Sequence, residues 1–244
     1  MDGIKWRDGQ FAQDAVGDWW LCLPVETPKT NTPAPLEAVG IDLGLKDTAT
    51  TSDGETLPAG RYFRDTEKKI GNAQRRGHKK QAKRLQRKVA RQRKDALHKF
   101  TTGIVNRYQK IVVGDVSSLK LAKTRLAKAV LDSGWGMLKQ MLLYKGECAG
   151  RSVEIVNESF TSRTCSSCGS LTGPQGVNGL RVRQWECREC GSFHDRDVNA
   201  ARNILRRAEV SASVCGNEFA TLSSSSSQPP PAMRDTDKTG RVAA

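Results

Sequence analysis

The sequence predicts an α/β domain with a small four-cysteine insertion ahead of its last helix. Three observations predict it. Apolar, β-branched runs alternate with stretches of helical spacing in the order strand, hairpin, helix, strand, helix, strand, helix. One helical stretch carries nearly all of the chain's charge excess, and two Cys-x-x-Cys pairs interrupt the pattern near its end. At 244 residues, 37% hydrophobic, the chain can bury one sizeable core and a small satellite.

The first strand of the core is expected at Val39–Leu45, and the second at Thr48–Ser52, turning at Asp53-Gly54. Upstream, Asp18–Val25 reads as one or two short strands, followed by a Thr/Pro/Asn-rich connector ending at Pro35. From Lys79 to Tyr108, Ala82, Leu85, Val89, Ala96, Phe100, Ile104 and Tyr108 fall mostly three or four residues apart, which is one face of a helix. Ile111–Val116 is a β-branched strand, Leu126–Ala149 has the length of a second long helix, and Ser152–Glu158 alternates like a strand. Asp195–Ile204 opens the last helix. Beyond Glu209 the pattern fades into SSSSSQPPP, so residues 209–244 are expected to be a disordered tail.

No run of about 18 apolar residues exists, and the order of a signal peptide is absent. The expectation is a soluble, cytoplasmic protein with reduced thiols and no membrane partner. The formal net charge of +14 is concentrated: Glu67 to Lys110 holds 16 Lys/Arg against two acids. The candidates for contact are Arg75, Arg76, Lys79, Lys80, Lys83, Arg84, Arg87, Lys88, Arg91, Arg93 and Lys94. A solvated charged face is the ordinary reading of a short basic run. An excess this one-signed over about six helical turns would repel itself without a polyanion, which points to phosphate contact.

Cys165-x-x-Cys168 and Cys187-x-x-Cys190 are separated by 18 residues. Two intervening residues let both sulfurs of a turn reach one tetrahedral ion at about 2.3 Å, and the second pair closes the shell. Two disulfides are the competing reading, which a reducing compartment disfavours. Four thiolates leave no open position, so the zinc is structural. Cys22, Cys148, Cys215, His78 and His98 lack any partner pattern.

Four acids sit where a sheet edge could gather them: Asp42 inside the first apolar strand, Asp115 and Glu158 at later strand ends, and Asp197 at a helix start. Carboxylates from separate elements, bridging Mg²⁺ ions, are what phosphodiester hydrolysis needs. A single acid near a strand end is more often a turn or cap residue. Asp42 is the exception, since an unpaired carboxylate within an apolar strand is costly.

Together VGIDLGL (39–45), the basic helix, IVVGDVSSLKL (111–121), TSRTCSSCG (161–169) and HDRDVNAARNI (194–204) resemble the TnpB (OrfB) family of insertion-sequence proteins, relatives of the type V CRISPR effectors, over roughly residues 18–208. The resemblance implies an RNase H-like, RuvC-type mixed sheet with flanking helices and an inserted zinc ribbon. It also implies a transposon-associated, Mg²⁺-dependent DNA endonuclease directed by a guide RNA to a target DNA. Asp42 matches the first catalytic acid of the family and Asp197 the third. Gly114 stands where most relatives carry the second, so that role passes to Glu158, with Asp115 the alternative.

The resulting organisation is a wedge-barrel remnant and linker at 1–36, the nuclease domain at 37–160 and 191–208, and the ribbon at 161–190. An N-terminal half, found in the family and largely missing here, is expected from another chain or lost. Two other readings compete: a guided DNA-binding protein of the same family that does not cleave, and a zinc-ribbon RNA-binding protein of ribosomal type.

Overall fold

A computed structural model describes residues 5–6, 8–14, 16–26, 33–179 and 181–221; most of the connector before Pro33 and residues 222–244 lie outside the described residues. The N-terminal segment forms four short strands, β1 (Lys5–Trp6), β2 (Gln10–Gln13), β3 (Trp19–Cys22) and β4 (Val25–Glu26). They pair antiparallel as β1–β4 and β2–β3, apart from the main sheet. That is more strand than the apolar run alone suggests, because β2 carries only Phe11 and Ala12 as apolar residues. Arg87 holds the β2–β3 hairpin by ion pairs to Asp14 and Asp18, and the Arg91 guanidinium lies 5.3 Å above the Trp20 ring.

The main sheet has five strands in the order β7-β6-β5-β8-β9: β5 (Leu36–Asp42), β6 (Asp47–Thr51), β7 (Thr56–Pro58), β8 (Tyr108–Gly114) and β9 (Ser152–Val156). β5, β6 and β7 form an antiparallel meander, while β8 and β9 add parallel to β5. The sheet is therefore mixed. Parallel addition requires crossovers, and helices supply them. Between β7 and β8 run α1 (Tyr62–Arg75) and α2 (Lys79–Arg107). Between β8 and β9 run α3 (Ser118–Leu121), α4 (Ala127–Ser133) and α5 (Trp135–Ala149). After β9 come α6 (Gly176–Gly179), the antiparallel pair β10 (Gln184–Glu186) and β11 (Phe193–Asp195), and α7 (Arg196–Thr221).

The single helix expected over Leu126–Ala149 is two helices. Gly134 sits at φ +70 between them, a left-handed conformation that ends α4 and starts a new axis for α5. The last helix also runs past the expected start of the tail at Glu209, since no proline interrupts it before Thr221. The hairpin of the cysteine insertion spans 184–195 and so crosses the expected boundary at Cys190.

Strand periodicity assigns the two faces. Val39 and Ile41 of β5, with Ile111 and Val113 of β8, pack under Leu97, Phe100 and Ile104 of α2 and Leu138 and Leu142 of α5. The alternate residues face α7, where Val112 packs with Ile204 and Ala208. A Cβ on Gly40 would lie 2.0 Å from the Ala201 carbonyl oxygen, so the bare backbone at Gly40 lets α7 press directly on β5. Among the described residues no helix is long and apolar enough to cross a membrane.

Candidate functional site

The close approach of α7 to β5 positions the acids. Asp42 shares the parity of Gly40, so it emerges at the carboxyl end of β5 on the α7 side, and Asp197 stands in the first turn of α7. Glu158 follows the end of β9, two strands from β5, and completes a cluster in which Asp42 feels the charge of both other carboxylates. Burial, then Glu158 and Asp197, push the Asp42 carboxyl up to about 7, against the opposing Arg196 charge and the Leu43 N–H.

The same parity separates Glu158 from Asp115. Gly114 faces α7, with Ile204 Cδ1 and Glu158 Oε2 lying 2.9 and 3.1 Å from the position a Cβ would take, so the Glu158 carboxylate occupies the space that the missing side chain leaves. Asp115 is one residue on, 63% exposed, and its Oδ1 accepts a 2.7 Å bond from Lys139 of α5, on the opposite face. The Glu158 carboxyl is shifted upward by burial; Lys139 opposes that shift and Asp115 adds to it. Of the two candidates for the second acid, Glu158 is the one gathered with Asp42.

Asp197 is held by Arg183, which donates to its Oδ2 at 2.7 Å; Arg183 sits just before β10, and its carbonyl accepts from the Arg196 N–H at 2.7 Å. Asp195 Oδ1 accepts from the Asp197 and Val198 N–H groups at 3.0 and 3.1 Å and caps the helix. Oxygen donors with excess negative charge fit a hard divalent cation such as Mg²⁺. The raised proton affinity of Asp42 comes first from burial and then from the two neighbouring carboxylates, which a bound cation would offset. These carboxylates do not close on one point as the cysteines do. Among the described residues only the cysteines form a group of three or more candidate ligands within reach of a single ion.

The sulfurs of Cys165, Cys168, Cys187 and Cys190 all lie within 4.8 Å of one another. Each pair is turned by matched backbone bonds: Gly169 N–H to Cys165 O at 2.9 Å and Gly191 N–H to Cys187 O at 2.8 Å, with positive φ at both glycines. Ser170 and Thr172 hydroxyls lie 3.3 and 3.1 Å from Cys187 Sγ and draw its thiol down to about 5, toward the thiolate that a metal requires. The cluster can hold a metal ion such as zinc. His194 was not legible as part of it. Its Nε2 lies 3.1 Å from Cys165 Sγ and its ring 4.8 Å from that of Trp185, because the β10–β11 register places Trp185 opposite His194.

Two asparagines join this unit to the acid-bearing helix. Asn199, 1% exposed, accepts from the Ser166 N–H at 2.8 Å and donates to Thr164 O at 2.8 Å, while Asn203 donates to Thr161 O at 2.8 Å and Thr164 O at 2.6 Å. The first cysteine turn is thereby fixed to α7, two residues from Asp197.

The basic residues separate into two groups. Arg75, Arg76, Lys79, Lys80, Lys83, Arg84, Lys88, Arg91 and Lys94 are exposed on α1, α2 and their connection. Arg87 and Arg93 are half-buried: Arg87 binds the β2–β3 hairpin and Arg93 donates to Asp132 at 2.8 Å, so these two serve the fold.

The α/β domain thus carries carboxylates at its sheet edge, a four-cysteine cluster joined to that edge through α7, and a basic helical hairpin. Two family models match it. The model described as "Probable transposase" for OrfB of IS605 matches residues 22–125, and that of the Cas12f1-like TNB domain matches residues 135–204. The chain is 38% identical over 220 residues to a "Putative RNA-guided DNA endonuclease" of Streptomyces pristinaespiralis, covering 84% of this chain and 54% of that protein. It is 30% identical to the "Putative RNA-guided DNA endonuclease InsQ" of Escherichia coli, covering 78% and 54%. By these matches the chain is similar to the TnpB (OrfB) family over residues 22–204. It spans about half the length of these relatives. A solved Cas12f1–sgRNA–target DNA complex shares the fold at TM-score 0.51 and 19% identity, over 84% of this chain and 56% of that one.

Proposed function

We propose that this chain is the nuclease portion of an RNA-guided, Mg²⁺-dependent DNA endonuclease, with an RNase H-like, RuvC-type domain spanning 37–160 and the start of α7. The observation that carries the reading is the convergence of Asp42, Glu158 and Asp197 from three elements on the α7 side of the sheet edge. When bound, Mg²⁺ supplies a lowered water pKa and charge stabilisation at the scissile phosphate. Asp42, at the end of β5 in the middle of the sheet, would hold the cation. Glu158 takes the part of the second acid, over Gly114. Asp197 would contribute the third carboxylate, and the Arg183 guanidinium that donates to it would be the cation at hand for a phosphate oxygen. The four cysteines would hold Zn²⁺ in a structural role, which would keep Arg183 and the start of α7 in register.

The relatives' names and the likeness to a guide–target complex support guide RNA and target DNA as partners. The exposed cations of α1 and α2 provide sequence-independent phosphate contact, while base pairing to the guide reads the target. A zinc-ribbon RNA-binding protein would have no use for a half-buried Asp42 set against two further carboxylates.

The test is cleavage of a guide-matched DNA target with Mg²⁺ by wild type, Glu158→Ala and Asp115→Ala at one salt concentration. Loss of cleavage with Glu158→Ala and retention with Asp115→Ala is the expected result. Absence of cleavage by the wild type would support the guided, non-cleaving reading instead.

A further inference from the structure

The strands that leave the sheet beside Asp42 also build a cavity that the carboxylate centre does not use. β5, β7 and β8 run in the same direction, so the β5–β6 turn, the β7–α1 turn and the linker from α3 to α4 all depart from the edge at which Asp42 lies. Between them is a cavity of about 510 Å³. Leu45, Phe63, Leu126 and Ala129 give it apolar walls, and Leu45 is three residues from Asp42. Lys46, Arg61, Arg64 and Arg125 give it a basic rim.

The acids at this cavity are already matched. Both Asp132 carboxylate oxygens accept from the Phe63 N–H, at 3.0 and 3.2 Å, and Arg93 donates to Oδ1, leaving that side chain 8% exposed. Glu67 is paired with Lys128. No ion pair offsets the four rim cations among the described residues. Arg61 is in addition one of only two non-glycine residues with positive φ among them, at +45, a strained backbone held at the cavity mouth.

We propose that this cavity is a subsite for one unstacked nucleotide of single-stranded DNA, with its base against Phe63 and its flanking phosphates on Arg61, Arg64, Arg125 and Lys46. The volume suits a small ligand buried on most of its surface. An apolar and aromatic wall beneath a cationic rim is the combination that single-strand sites use, a π-face for any base and charge for the backbone. The inference rests on the nuclease reading for the choice of DNA.

The experiment is fluorescence anisotropy of a labelled oligothymidylate, its abasic counterpart and the matching oligouridylate, with the full chain in EDTA so that cleavage plays no part. Wild type should prefer the thymidylate to the abasic strand on the order of tenfold, and Phe63→Leu should erase that preference. Arg61→Gln with Arg125→Gln, both exposed, should weaken both DNA strands several-fold, whereas Arg84→Gln with Lys88→Gln on α2 should leave the base preference intact. Equal binding of thymidylate and abasic strands by the wild type, or an unchanged preference in Phe63→Leu, overturns the subsite. Stronger base-dependent binding of the uridylate assigns the cavity to RNA and overturns the choice of strand. If base-dependent DNA binding stands but Mg²⁺ cleavage is absent, the nuclease reading fails and the subsite survives.

Discussion

Asp42 holds its proton more tightly in the folded chain than in the unfolded one, with a carboxyl raised to about 7 by burial and by Glu158 and Asp197. The stability tied to that proton is fully present below the usual carboxylate range and is lost as pH rises through about 7. In metal-free protein, Asp42→Asn should flatten the fall in Tm across that window and add roughly 1–3 kcal/mol at neutral pH. Divalent cations compete with the same proton, so the Tm gain from Mg²⁺ in the wild type should grow as pH rises from about 6 to about 8. Thermal melts across pH with and without Mg²⁺ check both. Gly114 offers a second residue-level test. A methyl group there meets Ile204 and Glu158, so Gly114→Ala should displace the Glu158 carboxylate, cost about 1–3 kcal/mol and lower cleavage. Unchanged cleavage would remove Glu158 from the catalytic set.

At the scale of elements, α7 is the joint between two chemistries. Its first turn carries Asp197, its next two turns place Asn199 and Asn203 on the backbone of the first cysteine turn, and its buried side packs on Val112. Asn199→Ala leaves the Ser166 N–H without its partner and the Thr164 carbonyl with Asn203 alone, and should cost on the order of 1–3 kcal/mol in denaturant unfolding. Cys187→Ser should lower zinc content and Tm together, because the folding free energy of such a unit is largely metal-binding free energy. Full zinc stoichiometry in that variant would refute the four-cysteine shell.

For the whole molecule, the charge that sequence concentrates between Glu67 and Lys110 is presented outward by α1 and α2, apart from the half-buried, ion-paired Arg87, Arg93, Arg107 and Lys110. Replacing Lys79, Lys80, Arg84 and Lys88 with glutamine should weaken duplex binding regardless of sequence. It should also reduce the slope of log affinity against log salt by about 0.9 for each phosphate that is no longer neutralised. Replacing Arg87 should instead lower stability, since its partners are Asp14 and Asp18 of the β2–β3 hairpin. A salt titration of wild type and both variants separates the two roles.

The linear chain is legible wherever local spacing encodes the outcome. The cysteine pairs were legible because two residues between ligands set a turn, and the strands expected at Val39–Leu45 and Ile111–Val116, which fold as Leu36–Asp42 and Tyr108–Gly114, because burial on both faces leaves apolar runs at their centres. Asp42 stood out because its carboxylate interrupts such a run. Packing in three dimensions settles what depends on which face a residue takes. Glu158 and Asp115 are both acids at strand ends, and only the packing of α7 on one face and α5 on the other distinguishes them. Gly134 marks the division of Leu126–Ala149 locally, whereas the contact of His194 with Cys165 and the pairing of Arg183 with Asp197 had no sequence signal of their own. Each rests on elements distant in the chain meeting in space, a geometry that periodicity along the chain does not carry.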